Sequence, residues 1–244
     1  MATPAFSPST ADSLPANKVQ SELVTCLKEL KEDCGTLPRE LAVVILGQWF
    51  HPLHYFPVFL SRLISVTPKV EAQTYISRIL WEELGEGDPV RAHEKIYVET
   101  MTSGGFDKVQ FTEAPPLPAT RRLVEGYEKA SGEYLAGLGF LYGTEVVDLQ
   151  MVATIGALMK RCTGLRTLPW VDIHVAQEPG HVESSTLTLN QSVDQSVDQS
   201  LDQEAQHRVV TSAEEMWTLW TDFFKSIRRE ILPQKGTEEN KRVS

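Results

Sequence analysis

Residues 132–163 read GEYLAGLGFLYGTEVVDLQMVATIGALMKRCT. The stretch reads as a long and very apolar helix. Glu145 sits deep within it, and a carboxylate in such surroundings is costly unless it is paired or bound to a metal. Asp148 is the competing carboxylate, three residues on and only about 60° round the helix. Glu145 is preferred because it lies deeper in the apolar run.

Working outward, the remaining apolar periodicity is helical as well. Leu23, Val24, Cys26, Leu27 and Leu30 mark a helix over residues 19–31. Pro38 opens a second helix running to about Val66, with kinks expected at Pro52 and Pro57. A third covers about Lys69 to Leu84 and stops at Gly85 and Gly87. Asp88-Pro89 then forms the cap and first turn of a helix carrying His93. Another helix follows at about 119–132. Beyond the apolar helix, one more should hold Val171 to Glu178. A final amphipathic helix spans about Ser212 to Ile231, with Met216, Trp217, Trp220, Phe223, Phe224 and Ile227 on one side. No strand or hairpin pattern of any strength is present.

Residues 190–203 contain the unit SVDQ-SVDQ-SLDQ. Val193, Val197 and Leu201 are too few apolar anchors to offset the ordering entropy of so polar a segment. Residues of about 184–206 are therefore expected to form a polar loop. The chain is expected to be all-α, with one domain over residues 18–232, a disordered arm over 1–17 rich in Ser, Pro and Ala, and a flexible tail over 233–244.

Composition excludes several functions. The 244 residues carry a formal net charge of -10. So acidic a surface lacks the positive footprint that nucleic acid or an anionic membrane requires. The longest apolar runs are broken well before the roughly 20 residues of a membrane span. The N-terminus has no basic start and no apolar core of the signal-peptide kind. The three cysteines, Cys26, Cys34 and Cys162, lack metal-type spacing and fit free thiols in a reducing cytosol, so a cytoplasmic location is expected.

There are only six histidines. His174, Glu178 and His181 stand at i, i+4 and i+7, within an arc of about 60° on a helix face. Two imidazoles and a carboxylate converging in this way can ligate a metal. Upstream, Trp81-Glu82-Glu83-Leu84-Gly85-Glu86-Gly87-Asp88-Pro89 runs through a Gly-rich turn to His93, so Glu83 and His93 can meet across it. The alternative is that Asp88-Pro89 is just a helix start and that Glu82 and Glu83 are both solvated. His51 and His54, together with Tyr55, read as substrate-facing or core residues and are the candidates for substrate contact. Glu178-Pro-Gly-His181 and Glu204-Ala-Gln-His207 both match Glu-x-x-His. A ferritin-like site would need a further Glu-bearing helix between two such copies, and the short polar spacer leaves no room for one. His207 is then a surface residue. Lys160-Arg161 reads as a charge pair at a helix C-terminus. No Gly-rich nucleotide loop and no Gly-x-Ser-x-Gly is present.

Taken in order, these residues resemble the haem-oxygenase-like diiron oxidases and oxygenases. The shared pattern is a Glu, a Gly/Asp/Pro turn to a His, a lone Glu on an apolar helix, then His-x3-carboxylate-x2-His. It extends over about residues 20–230. The resemblance implies a single haem-oxygenase-like bundle of about seven helices. It also implies two Fe ions held by Glu83, His93, Glu145, His174, Glu178 and His181, with O2 as co-substrate. Three imidazoles and three carboxylates without a thiolate suit Fe or Mn on chemical grounds. The chain departs from the family in having Glu178 where Asp is common. Pro179-Gly180 also implies that the helix kinks or ends before His181. The expected activity is oxidation or oxygenation of a small molecule, with an amino acid as the preferred substrate. Similarity in size and layout to the nitrile-forming branch favours an aromatic, tryptophan-like side chain, with nitrile formation, N-oxygenation or C–C cleavage as outcomes. A homodimer is compatible with the family. A non-enzymatic helical binding or regulatory protein is the alternative on the same fold. A cofactor-less, thiaminase-like relative would need a cavity cysteine, and none of the three lies near these motifs in sequence.

Overall fold

The computed structural model describes residues 17–33, 37–193 and 199–232, and for residues 178, 189–193 and 199–202 the backbone alone. The N-terminal arm up to residue 16 and the C-terminal tail lie outside the described residues. The chain forms α1 (Lys18–Asp33), α2 (Arg39–Val66), α3 (Val70–Glu83), a 3-10 turn (Pro89–Arg91), α4 (His93–Ser103), α5 (Lys108–Thr112), α6 (Pro118–Ala130), α7 (Tyr134–Thr163), α8 (Pro169–Val193) and α9 (Gln199–Ile231). No strand occurs among the described residues. The all-α class is as expected. The helices outnumber the expected seven, partly because the five-residue α5 is too short to show a period.

The apolar helix is the axis of the fold. α7 packs against α1, α2, α6, α8 and α9, which is why it is apolar on every side. Its ends are marked by chemistry: the Glu133 carboxylate accepts from Leu135 N and Ala136 N, and Gly164 leaves the helix at φ 70°. Along α7, Gly139 lets α9 come close. A Cβ there would lie 2.4 Å from the Val209 carbonyl oxygen and 2.6 Å from Ser212 Cβ. Trp217 locks the same contact by donating its indole N–H to the Gly143 carbonyl at 2.8 Å.

Two expectations are corrected. α8, expected to hold Val171 to Glu178, does not end at Pro179-Gly180 but continues as helix to Val193. Proline frees the carbonyl four residues back, here that of Val175. Val175 and Pro179 both face solvent, so water can meet the freed oxygen. The polar loop expected over 184–206 is replaced by helix in its described residues, 184–193 and 199–206, and residues 194–198 lie outside the described residues. Ser184, Ser185 and Thr188 are buried. The Thr188 hydroxyl donates to the Ser184 carbonyl at 2.8 Å and the Ser185 hydroxyl to the Val182 carbonyl at 3.0 Å. Small hydroxyl side chains satisfied by their own helix can line a packed face, so polarity did not mean exposure here. At the start of α9, adding turns to a helix already anchored by Val209 and Ala213 is cheap.

Candidate metal centre

Glu83 is the last residue of α3 and His93 the first of α4. The link between them reverses the chain through Gly85 (φ 87°), Glu86 (φ 56°) and Gly87 (φ 91°). A Cβ on Gly85 would sit 2.2 Å from the Asp88 carbonyl oxygen, so only glycine fits. Asp88 then accepts from Val90 N at 3.0 Å and starts the 3-10 turn. The result places His93 Nδ1 3.1 Å from Glu83 Oε1, with both side chains buried. The distance is that of a close charge contact, but the orientation is not that of a hydrogen bond, and Nδ1 of His93 has no hydrogen-bond partner.

α8 supplies the next residues. His174 stands beside His93 with ring centroids 4.6 Å apart. Glu83, His93 and His174 each offer a donor atom within 4.8 Å of the others. Two turns further along α8, His181 lies between two carboxylates: Nδ1 is 3.4 Å from Glu145 Oε2 on α7, and Nε2 is 2.9 Å from Glu82 Oε2 on α3. Glu178 belongs to the same helix, but its side chain lies outside the described residues. The structure thus brings five of the six expected ligands into one buried region.

The charges are strongly coupled. Burial drives the Glu83 carboxyl up, but the imidazole of His93, then those of His174 and His181, outweigh it and hold it at about 2. Burial pushes His174 down, helped by neighbouring His93, to about 4. Burial also pushes His181 down, but Glu145, Glu83 and Glu82 override it and raise it to about 10. His93 is likewise raised, burial being overcome by Glu83. Glu145 is raised, chiefly by burial, against the pull of His181.

The residues fit a metal ion on three grounds. The donor set is imidazole and carboxylate, which suits Fe or Mn. His93 presents a buried ring nitrogen without a hydrogen bond, next to a carboxylate oxygen. The other ring nitrogen of each member of the His93–His174 pair is already held: His93 Nε2 by Gln177 Oε1 at 2.8 Å and His174 Nδ1 by the Trp170 carbonyl at 2.7 Å. Metal-ligating histidines are typically oriented in this way by a partner on the far nitrogen.

A cavity of about 40 Å³ adjoins the cluster, lined by Glu83, Glu145, Asp148, His174 and His181 on one side and by Trp49, Pro52, Leu53, Phe56, Tyr127, Thr144 and Trp220 on the others. The inward stripe of α2 is therefore 49, 52, 53 and 56, at helical spacing. The candidate substrate contacts His51, His54 and Tyr55 fall on other faces of α2 and do not line it. His51 Nε2 bonds the Ala114 carbonyl at 2.8 Å, and exposed His54 meets Glu94 at 2.7 Å. The Tyr55 hydroxyl is buried without a hydrogen-bond partner. Glu82 and Gln177 were not anticipated. Gln177 was legible, since it lies at i+3 from His174 and i−4 from His181 on the ligand face. Glu82 was not, because adjacent helical positions point about 100° apart and only the helix end lets both reach the site.

Residues 44–221 match the family described as iron-containing redox enzymes, and the chain belongs to that family. Comparison with curated proteins gives no match. Among solved structures, the chain is similar to a domain of unknown function with a heme oxygenase-like fold from Shewanella denitrificans OS217 (TM-score 0.66, 18% identity, 86% of this chain and 88% of that one). It is also similar to a CADD-like protein of unknown function from Nostoc punctiforme PCC 73102 (TM-score 0.71, 12% identity, 89% and 98%). A third is a TenA homolog from Pseudomonas syringae pv. tomato DC3000 (TM-score 0.69, 12% identity, 93% and 99%). At these identities the likeness establishes the heme oxygenase-like fold. No helix among the described residues is long and apolar enough to cross a membrane.

Proposed function

We propose that the protein is an O2-dependent diiron oxidase or oxygenase acting on a small molecule, with an aromatic amino acid as the preferred substrate. The observation that carries this reading is the buried cluster of Glu83, His93 and His174 next to the His181–Glu145 pair, facing an aromatic-walled cavity. Glu83, His93, His174, Glu145 and His181 are the ligands, and Glu178 completes the set of six. Two bound Fe ions would supply the activation of O2. The protein's own residues do the rest. Gln177 and the Trp170 carbonyl hold the far nitrogens of His93 and His174, fixing which nitrogen each presents. Trp49, Phe56 and Trp220 exclude water and offer ring faces to an aromatic side chain. The Thr144 and Tyr127 hydroxyls, 2.8 Å apart, supply polar contacts on the wall.

A cavity of about 40 Å³ has room for a few waters but not for an amino acid. Substrate therefore enters only when a wall parts. α8 is the wall best suited to this, because it carries an internal proline and small polar side chains.

The test is anaerobic Fe(II) loading followed by O2 exposure with a panel of amino acids, monitored in the visible. The expected result is a transient absorption band whose decay one substrate accelerates, with formation of an oxidised product. Iron-loaded protein that gives no O2-dependent change with any of the panel would overturn the assignment.

A further inference from the structure

His181 meets a carboxylate at each ring nitrogen, and the two carboxylates differ. Glu145 is fully enclosed on α7, at 3.4 Å from Nδ1, and faces the cavity. Glu82 lies at the outer end of α3, with its side chain 13% exposed, and holds Nε2 at 2.9 Å. Glu82 is itself anchored from outside: the Arg78 side chain, one turn back on α3, donates its Nε–H to Glu82 Oε1 at 3.3 Å. Arg78, Glu82 and His181 thus form a relay from solvent to the site. Glu82 does not line the cavity, whereas Glu145 and His181 do.

From this we infer that Glu82 is a positioning residue: by holding Nε2–H of His181 it fixes the ring so that Nδ1, the nitrogen on the Glu145 side, is the one presented to a metal ion. The inference rests on the metal-site reading above and adds to it the tautomer and orientation of one ligand. A carboxylate on the far nitrogen orients a ligating imidazole and makes it a better donor. The arrangement also suits the difficulty of this position. Just before His181 in α8, Pro179 removes a helix hydrogen bond and Gly180 adds backbone freedom. An anchor on rigid α3 compensates for that freedom. His93 on α4 and His174, two turns earlier on α8, have their own anchors in Gln177 and the Trp170 carbonyl, so loss of Glu82 should leave them undisturbed.

The test uses the full chain in three forms, wild type, Glu82→Ala and Glu82→Gln, with melting of each metal-free form to show that it folds. Mn(II) titration should give two ions bound to the wild type. In Glu82→Ala one of the two should bind about 10–100-fold more weakly while the other is unchanged. Glu82→Gln keeps an acceptor oxygen and should recover part of the loss. Wild-type affinity at both sites in Glu82→Ala overturns the proposal. So does complete loss of one ion in both variants, because that would make Glu82 itself a ligand. A second readout uses Zn(II)-loaded wild-type protein and long-range proton–nitrogen correlation of His181. Nε2 protonated and Nδ1 metal-bound is the expected pattern. Two ions bound with Nε2 as the ligand overturns the role of Glu82 alone. One ion bound with His181 protonated at both nitrogens overturns the two-ion reading and this inference together.

Discussion

Glu145 and Asp148 stand one turn apart on α7 and both line the cavity, yet their surroundings differ. Glu145 is 3% exposed and faces His181, whereas Asp148 is half-buried toward the cavity edge. A buried carboxylate with its carboxyl raised by desolvation gains most from a cation that replaces the lost water. Glu145→Ala should therefore weaken uptake of at least one metal ion by about tenfold or more and abolish O2-dependent turnover. Asp148→Ala should leave metal uptake at the wild-type level. Metal titration of the two variants decides it, and the reverse pattern would mean that Asp148 is the ligand. The difference in burial was legible in the sequence because depth in an apolar run tracks burial in a helix that is packed on all sides. Which residues of α2 line the cavity was not. His51, His54 and Tyr55 were picked by chemical type, whereas the cavity takes the apolar stripe of Trp49, Pro52, Leu53 and Phe56. Residue type alone does not say which face of a long helix turns inward.

α8 carries His174, Glu178 and His181 and also Pro179 and Gly180. An internal proline costs a helix about 3 kcal/mol, and glycine about 1 kcal/mol relative to alanine. In the metal-free protein the cluster is held by ion pairs among groups that are costly to bury. Coordination of a metal ion would replace those pairs with stronger bonds, so metal binding energy would become local folding energy. Residues of about 176–193 should exchange their amide hydrogens faster in the metal-free protein than after Fe(II) loading, whereas the centre of α7 should not change. Equal exchange of α8 in both states would show that the helix is fully preformed. On the proposed function, such opening of α8 would also supply the movement that a cavity of about 40 Å³ needs before it can admit an amino acid. At this scale the sequence revealed where helices lie better than where they stop. Gly85 and Gly87 marked the end of α3. The extent of α8 depended on packing of Ser184, Ser185 and Thr188, which no hydrophobic period reports.

The whole bundle is organised around the approach of α9 to α7. That contact places Trp220 in the cavity wall and fixes Trp217 through its bond to the Gly143 carbonyl. Two glycines of α7 face α9, and they bear the contact unequally. A Cβ on Gly139 would fall 2.4 Å from a backbone oxygen that has no rotamer with which to escape, whereas one on Gly143 would meet its nearest neighbours, in Ala213 and Met216, at 3.4 Å. In a helix interior, alanine is otherwise favoured over glycine by up to about 1 kcal/mol. Overpacking a tight contact costs about 1–3 kcal/mol. The two effects oppose each other at Gly139 and the clash should win, whereas at Gly143 only the helix preference should act. Gly139→Ala is thus expected to lower the midpoint of urea unfolding at unchanged slope, and Gly143→Ala to leave it level or raise it. Because a displaced α9 carries Trp220 with it, Gly139→Ala should also enlarge the cavity and weaken substrate binding more than metal binding. Equal losses of stability in the two variants would show that the two helices do not meet as closely at Gly139 as their backbones place them.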